Sequence, residues 1–347
     1  MPHNWNAFLQ HLGAQFDGQE VLQFTQTSNF TAWEGGFLVS LSHLGLISAE
    51  GEQAAEFLHN QLSNDVKALT TDAARLAAYC TPKGRMLASM LLFRSDSHIF
   101  LQMPQTVLPP LLKRLKMFVM RSKAVLQDAS ESLVTLGLGG TNADSALQPW
   151  FPQLPQQAWG KVSNEYGDLI RMPDAFGAPR YQWLLGFDLA EAIWPQLAAK
   201  LAPAPNRIWR LAEIEAGIPH ILPPTQEQFV PQMINFELIG GVNFKKGCYP
   251  GQEIVARSQY LGKLKRRMQL ASLDGTQLPL AGQELFSEQD PEQPCGMVVN
   301  AEPALAGGYR ALVEMKIHML QSAVHLASIS GPLLQFGALP YSIESQE

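Results

Sequence analysis

The amino-acid sequence predicts an α+β protein that ends in a small antiparallel β-barrel, and three observations favour this fold class. Two strand-like runs, 75–80 and 85–94, are joined by Thr81-Pro82-Lys83-Gly84, a turn sequence typical of a β-hairpin. Residues 106–120 carry apolar side chains at helical spacing. After Gly262 short strand-like runs dominate, which indicates a domain boundary near residue 262 and a barrel beyond it.

The elements follow in chain order. An amphipathic helix is predicted at the N-terminus, where apolar residues recur at helical spacing: Trp5, Phe8, Leu9, Leu12 and Phe16. Beyond the hairpin, the sequence predicts strands at 37–48, 98–103, 133–139, 181–187, 267–273, 297–300 and 310–317. It predicts helices at 52–64, 106–120, 188–201, 206–217 and 252–261. Pro203 and Pro205 separate two of these helices, since proline cannot continue a helix.

Composition narrows the function classes. The chain has 347 residues, 46% of them hydrophobic, which is enough for a sizeable core and two or three domains. Only 16% are charged and the net charge is −6, which disfavours general nucleic-acid binding. Lys67 is the first Lys or Arg, so we expect neither a secretory signal nor a transit peptide. We also expect no membrane span, because no long run of apolar residues occurs.

The three cysteines, Cys80, Cys248 and Cys295, lie far apart and form neither a CxxC pair nor a zinc spacing. Such a sparse, odd count fits a reducing compartment. We therefore expect a cytoplasmic protein without a stably bound metal.

The clearest chemical signal lies in residues 240–254, Gly-Gly-Val-Asn-Phe-Lys-Lys-Gly-Cys-Tyr-Pro-Gly-Gln-Glu-Ile. The glycines permit a sharp turn and a close approach of the backbone to a ligand. Lys245 and Lys246 precede Cys248 and a predicted helix follows it, and both features favour a thiolate. Cys248 is therefore a candidate functional thiol. A small buried cysteine in a tight turn fits the same spacing equally well.

Residues 244–257 resemble the signature Lys-Gly-Cys-Tyr-x-Gly-Gln-Glu of the YgfZ family, which is related to the glycine-cleavage T protein and includes iron–sulfur assembly factors. The matching residues are Lys246, Gly247, Cys248, Tyr249, Gly251, Gln252, Glu253 and Arg257. Four shorter segments also resemble the family: 61–66, 81–86, 209–219 and 340–342. The resemblance covers roughly residues 36–345.

The resemblance implies a fold and a ligand. It implies a T-protein-like folate-binding region of two subdomains over 36–262 and the β-barrel over 263–347. Residues 1–35 lie outside the resemblance, and their amphipathic pattern predicts a helical extension. It also implies a tetrahydrofolate site in a central cavity, with Trp209 stacked on the folate and Glu215 pairing with pterin nitrogens. Trp209 would also fit as a core aromatic residue, and Glu215 as a partner of Arg207 or Arg210 on the same helix.

The chain departs from the pattern at two places. A tryptophan known at the folate site of some members aligns with Leu44, and nearby Trp33 is a candidate substitute. Aminomethyltransferases of this fold carry an Asp that aligns with Leu87 and Ala88. Apolar groups there cannot orient or accept a proton, which disfavours aminomethyl transfer.

We therefore expect a tetrahydrofolate-binding accessory protein rather than a classical enzyme. It would support assembly or repair of iron–sulfur clusters and, through iron–sulfur enzymes, tRNA modification. Its expected partners are folate and iron–sulfur proteins or assembly factors, with no membrane and a monomeric chain. A folate-dependent aminomethyltransferase or other one-carbon transferase is the alternative.

Direct RNA binding is the third functional hypothesis, after the accessory role and one-carbon transfer. The basic residues between Lys245 and Arg267 suit phosphates, but they equally suit a polyglutamyl folate or an acidic partner, and no aromatic-rich RNA motif accompanies them. The sequence leaves the role of Cys248 open between transient binding of a cluster or iron, attack on a one-carbon unit, and redox sensing.

Overall fold

The structure, a computed structural model, describes residues 5–25, 35–95, 98–120, 122–260 and 264–343. Trp33, the candidate substitute for the missing tryptophan, lies outside these ranges. The α-helices within them are α1 (Trp5–His11), α2 (Ala54–His59), α3 (Leu108–Val119), α4 (Ala143–Leu147), α5 (Phe187–Ala198), α6 (Asn206–Glu215) and α7 (Gln252–Tyr260). Short 3₁₀ helices lie at Pro223–Thr225, Pro231–Ile234 and Ile317–Met319.

The strands before α6 are β1 (Ala14–Asp17), β2 (Glu20–Phe24), β3 (Phe37–Ser40), β4 (Leu44–Glu50), β5 (Ala74–Cys80), β6 (Met86–Ser95), β7 (His98–Pro104), β8 (Val125–Asp128), β9 (Val134–Gly139), β10 (Lys161–Asn164), β11 (Gly167–Ala175), β12 (Ala178–Leu185) and β13 (Ala202–Pro203). The strands after α7 are β14 (Arg266–Leu273), β15 (Glu284–Ser287), β16 (Asp290–Pro303), β17 (Tyr309–Lys316), β18 (Val324–Leu326) and β19 (Gln335–Gly337).

These strands form four sheets. The first is the β1–β2 hairpin, and the second has the order β10-β11-β12-β9-β3-β13, antiparallel except where β13 runs parallel to β3. The third is antiparallel with the order β5-β6-β7-β4-β8, and it contains the predicted hairpin as β5 and β6. The fourth has the order β18-β15-β16-β17-β14-β19 and curls into an antiparallel half-barrel. The predicted α+β fold class with a C-terminal antiparallel barrel-like sheet is confirmed, whereas the domain boundaries near residues 35 and 262 stay predictions.

Two element predictions were wrong. The single strand predicted at 37–48 is two strands, β3 and β4, which belong to different sheets because the chain turns where Leu44 N–H donates to Leu41 O at 3.0 Å. The extension predicted as helical over residues 1–35 contains the β1–β2 hairpin after a short α1. Phe16 lies in β1 rather than in the helix, since α1 ends before Gly13, whose φ of 88° is left-handed. Apolar spacing did not reveal either break.

Helix α6 lies at the junction of the sheets. It packs against β3 and β11 of the second sheet and against β16 and β17 of the fourth. Arg210 pairs with Glu302, and Glu215 with Arg310, so two ion pairs join α6 to the C-terminal sheet. Trp209 projects from α6 into the core cluster that gathers side chains from both large N-terminal sheets and the C-terminal sheet.

No helix in the described part of the chain is long and apolar enough to cross a membrane.

Candidate functional site

The signature segment packs against the turn of the β5–β6 hairpin. Gly251 has φ 84°, and a β-carbon there would clash with Thr81 O and lie 2.7 Å from the Cα of Gly84. Gly84 has φ 72°, and a β-carbon there would lie 3.0 Å from Cβ of Ile254. The two glycines therefore permit a backbone-to-backbone contact that side chains would prevent. Two segments far apart in sequence, each recognised by its motif, meet here.

Lys246 fastens the same segment to the end of α2. Its side chain is buried, and its Nζ donates to the carbonyl oxygens of His59 and of Leu62, the latter at 2.6 Å. The ammonium also lies 4.8 Å from the centre of the Tyr249 ring, a cation–π contact. Burial lowers the pKa of Lys246 to about 8. Lys246 is thus a buried anchor for the helix end, and its charge also interacts with Cys248.

Cys248 is exposed, whereas Cys80 and Cys295 are buried. Glu253 and Arg257 are exposed on α7, and Gln252 donates to Lys246 O at 3.4 Å. Within the described ranges, no group of three or more His, Cys, Asp or Glu side chains is placed to hold a metal ion. The segment therefore presents one accessible thiol on a loop held by its neighbours on both sides.

Trp209 lines a small enclosed cavity, which we call the inner cavity. Its lining residues come from several sheets and from α6 with the loop after it: Leu44, Leu76, Ser89, Met90, Leu91, Gln102, Trp159, Met172, Gln182, Trp209, Glu213, Ile218, Pro219 and His220. The volume is about 20 Å³. Such a volume holds a water molecule but not a pterin ring. Trp209 is only 1% exposed and has the guanidinium of Arg180 at 4.8 Å from its ring centre.

A buried ion pair lies at one side of the inner cavity. Arg180 donates to Glu213 at 2.7 Å, and Nε2 of His220 lies 3.4 Å from the other carboxylate oxygen. Burial alone would raise the pKa of Glu213, but Arg180 and His220 outweigh it and hold that pKa below its usual value. Glu213 is therefore an ionised acceptor, and among the described lining residues it alone carries a carboxylate.

Three buried polar atoms around the inner cavity lack hydrogen-bond partners among the described residues. They are Nη2 of Arg180, a donor, Oε1 of Gln182, an acceptor, and Nδ1 of His220. Unsatisfied buried polar atoms are uncommon in folded proteins and often mark the place of a ligand or ordered water. Their clustering indicates that the inner cavity is built to receive a polar, hydrogen-bonding group.

The structure separates the two residues for which a folate role was predicted. Trp209 lines the inner cavity, as does Leu44, so the position aligned with the missing tryptophan faces the same space. Glu215 does not line it. Its carboxylate accepts two hydrogen bonds from Arg310, at 2.5 and 3.0 Å. The role of Glu215 in binding stays a prediction, and Glu213 emerges as a second candidate.

Ala88 is buried in an apolar core cluster and Leu87 packs against it, and neither of these residues, which replace the transferase Asp, lines the inner cavity. The next residue, Ser89, does line the cavity, and its Oγ accepts a hydrogen bond from Ile221 N–H at 3.0 Å. Strand β6 therefore brings a hydroxyl to the cavity and no acid.

A larger opening, which we call the outer groove, lies beside the signature segment. Its volume is about 450 Å³, and its lining includes Asn64, Arg75, Asn243, Phe244, Lys245 and Tyr260. Such a volume is in the usual range for a small-molecule site. Phe244 and Tyr260 form an edge-to-face pair at 5.9 Å, and Arg75 donates to backbone carbonyls of Asp65 and Ala68. The groove thus combines aromatic surface with two cations.

Leu76 and Trp159 line both spaces and so form the wall between the inner cavity and the outer groove. Trp159 has φ 68°, a left-handed conformation that is strained for an aromatic residue. Its backbone is held by hydrogen bonds to β5 and β11, through Ala74 and Arg171. Trp159 therefore stands between the two spaces on a backbone that β5 and β11 hold in place.

The sequence interpretation missed Arg180, Gln182, Glu213 and His220. A signal for Glu213 was present, because it follows Trp209 by four residues and so shares its helix face, whereas Glu215 is about 240° around the helix. Arg180 and Gln182 alternate along a strand of otherwise apolar character, which is a sign of buried polar function. His220 had no comparable signal.

The chain is 34% identical over 317 residues to the tRNA-modifying protein YgfZ of Photorhabdus laumondii, covering 89% of this chain and 94% of that protein. It is 31% identical to the YgfZ of Klebsiella pneumoniae over 310 residues, covering 88% and 93%. No family model matches the sequence.

Among solved structures, the glycine cleavage system aminomethyltransferase T of Bartonella henselae superposes with a TM-score of 0.79 at 17% identity, covering 97% of this chain and 96% of that one. At that identity the likeness establishes the fold alone.

Proposed function

The chain belongs to the family of the tRNA-modifying protein YgfZ, and we propose that it binds tetrahydrofolate and supports the assembly or repair of iron–sulfur clusters. Through iron–sulfur enzymes it would then support tRNA modification. The observation that carries the folate part is the cluster of unpartnered buried polar atoms around Trp209. The chain shares its fold with the glycine cleavage system aminomethyltransferase T.

The inner cavity fits the pterin of a folate chemically. A pterin presents N–H donors and a carbonyl acceptor along one edge. The ionised carboxylate of Glu213 suits two N–H donors, Oε1 of Gln182 suits a third, and Nη2 of Arg180 suits the carbonyl. The indole of Trp209 offers an aromatic face, worth about 1 kcal/mol beyond area burial when a ring stacks on it.

The outer groove fits the rest of the molecule. The benzoyl ring of a folate would meet Phe244 and Tyr260, and its glutamate carboxylates would meet Lys245 and Arg75. Lys245 is exposed, and the hydrogen bonds that Arg75 donates go to neutral carbonyl oxygens. Both side chains therefore keep a positive charge that can pair with a carboxylate. The shared wall of Leu76 and Trp159 would have to open, because the inner cavity is too small for a pterin.

We assign the pterin-binding carboxylate to Glu213 in preference to Glu215. Glu213 lies on the face of α6 that carries Trp209, and it borders the inner cavity. Glu215 is engaged in a two-pronged ion pair with Arg310 that joins α6 to the C-terminal sheet. If the Glu215 carboxylate turned toward a ligand, its ion pair with Arg310 would be lost.

Aminomethyl transfer is the second candidate, and the fold alone favours it. The side chains at the position of the transferase Asp, Leu87 and Ala88, pack in an apolar core. Proton transfer at a folate nitrogen would need a group that neither can supply. We therefore keep the accessory role as the proposal.

The iron–sulfur part of the proposal is supported by the single exposed thiol of Cys248, which lies in the segment that resembles the signature of a family with iron–sulfur assembly factors. One thiolate cannot complete a four-ligand cluster site, so any cluster held there would need ligands from a client protein or a small thiol. The name of the relatives refers to tRNA modification, and iron–sulfur enzymes are one route by which a folate-binding protein would serve it.

The folate proposal is tested by anaerobic isothermal titration calorimetry of the purified protein with tetrahydrofolate. We expect saturable binding of one equivalent. Absence of heat at ligand concentrations up to the millimolar range would remove folate from the account, whatever the role of Cys248.

A further inference from the structure

The outer face of α3 exposes apolar side chains near the end of the helix. Met117 is 59% exposed and Phe118 54%, and Met120, the residue that caps the helix, is 85% exposed. The inner face is buried in the core over the third sheet through three leucines: Leu108, Leu111 and Leu115. Single exposed apolar residues are common in soluble proteins, but grouped ones that are bordered by charge mark interaction sites. The outer face of α3 is therefore a candidate interaction surface, and the folate proposal does not use it.

These side chains form one surface with two lysines. Side chains three or four residues apart are neighbours on a helix, so Met117 adjoins Lys113 and Met120, and Met120 adjoins Lys116. Phe118 lies on the adjoining flank of the helix. We call Lys113, Lys116, Met117, Phe118 and Met120 the α3 patch. Methionine and aromatic residues are enriched in protein–protein interfaces, and charged residues lie at the rim, which is the layout of this patch.

The charge around the α3 patch has one sign. Residues 97–127 contain no Asp or Glu, although the net charge of the chain is −6. Arg114 donates from Nε to the hydroxyl of Tyr79 at 3.1 Å, and Lys123 pairs with Glu52 at 2.9 Å. The two lysines of the patch are exposed and pair with no acid among the residues that the structure describes. A partner that covers the patch must therefore supply acidic groups.

RNA, an anionic membrane and an acidic protein all carry such groups, and the observations favour the protein. Nucleic-acid binding draws its affinity from many Lys or Arg contacts to phosphates, whereas the α3 patch contains two lysines. A helix that lies on a membrane inserts its apolar face into the lipid, but that face of α3 is buried in the protein core. Exposed methionines, in contrast, adapt their shape to the irregular apolar surface of another protein.

The α3 patch belongs to the same helical layer as the anchor of the signature segment. Helices α2 and α3 bury their apolar faces in one core cluster over the third sheet. Lys246 binds backbone carbonyls at the end of α2 and so fastens the segment with the exposed Cys248 to this layer. A protein docked on α3 would therefore cover part of the layer to which that segment is attached.

We propose that the α3 patch is a docking surface for an acidic protein. The partner packs an apolar side chain on Met117 and Met120 and places carboxylates against Lys113 and Lys116. The contact does not involve the inner cavity or the outer groove, since no residue of the patch lines either space. Docking therefore neither requires folate nor prevents its binding.

The test is photo-crosslinking in bacteria that lack their own YgfZ, with p-benzoylphenylalanine in place of Phe118. We expect discrete protein adducts whose contacting peptides, sequenced by mass spectrometry, are rich in Asp and Glu. Adding Lys113→Glu should lower the adduct yield about fivefold, because a charge at the rim of the contact is reversed. Adding Met117→Gln should lower it by a similar factor, because the apolar centre becomes polar.

Matched controls separate docking from general charge and from folding. Lys200→Glu makes the same change in net charge at an exposed lysine elsewhere and should leave the adduct yield unchanged. The photoreactive residue in place of Leu280, which is 65% exposed on the C-terminal part, should not give the same adducts. Thermal melts and folate titration of Lys113→Glu should match the wild type, so failure of docking and failure of the folate proposal are distinguishable. Absence of protein adducts at position 118, adducts to RNA or lipid alone, or a yield that survives Lys113→Glu would overturn the proposal.

Discussion

Glu213 accepts a hydrogen bond of 2.7 Å from Arg180, and both side chains are almost fully buried beside Trp209. A buried pair of this kind is a weak source of stability, because desolvation of two charges offsets their attraction. Among the residues that the structure describes, the pair leaves Nη2 of Arg180 without a hydrogen-bond partner beside the inner cavity. The arrangement is better understood as a binding surface held ready than as a stabilising contact.

The two carboxylates of α6 give the sharpest comparison. Glu213→Gln should weaken tetrahydrofolate binding by about 10- to 100-fold, because a charge-assisted hydrogen bond is worth about 1.5–3 kcal/mol. Glu215→Gln, its matched control, should leave affinity within about twofold and cost about 1 kcal/mol of stability through Arg310. Calorimetry and urea denaturation of both variants provide the measurement. The reverse order of affinities would return the role to Glu215.

Trp209 has both a structural and a binding role, so the substitution must be chosen with care. Trp209→Ala should cost roughly 3–5 kcal/mol of unfolding free energy, since a buried indole is removed. Trp209→Phe keeps an aromatic ring and should remain folded while weakening folate binding only a few-fold. Thermal melts and titration of both variants check this. Equal affinities for all folded forms would place the folate away from Trp209.

Much of the fold was predictable, and the limits have physical causes. The β5–β6 hairpin was predicted because its turn and strands are local in sequence, and α6 because Pro205 and Gly217 mark its ends. The split between β3 and β4 was not predicted, because the two strands belong to different sheets and only their long-range pairing distinguishes them. Apolar character alone looks the same in both.

The candidate site divides in the same way. The signature segment and Trp209 could be identified from sequence, but the inner cavity also needs Ser89, Gln182 and His220, which arrive from two different sheets and a loop. Lys246 illustrates a second limit. Its charge next to Cys248 was visible in the sequence, but its inward turn to bind the end of α2 was not. Which neighbour a flexible lysine selects depends on the tertiary structure.

Lys246 should give the protein a distinctive pH dependence. Its folded-state pKa of about 8 lies below the usual 10.5, so the unfolded chain binds more protons between these values and stability must rise with pH there. The free energy of unfolding of the wild type, measured against Lys246→Met, should therefore increase by roughly 2 kcal/mol from pH 7.5 to 9.5. Urea denaturation at the two pH values measures this. If the difference in unfolding free energy between the wild type and Lys246→Met is the same at both pH values, folding does not lower the pKa of Lys246.

Cys248 should be essential to function but not to folding. Cys248→Ser removes an exposed thiol, so its melting temperature should match the wild type. Serine is a far poorer nucleophile and soft-metal ligand, so the variant should fail to restore iron–sulfur enzyme activity in bacteria that lack their own YgfZ. Cys295→Ser serves as the comparison at a thiol that the proposal does not use. Full rescue by Cys248→Ser would make this cysteine structural.

The central claim is that a folate occupies the inner cavity, and a crystal structure of the protein with tetrahydrofolate tests it most directly. We predict a pterin against Trp209, hydrogen-bonded to Glu213, Gln182 and Arg180, with Trp159 displaced and the glutamate directed along the outer groove toward Lys245. Folate density elsewhere on the protein, with the inner cavity still closed behind Trp159, would contradict the account.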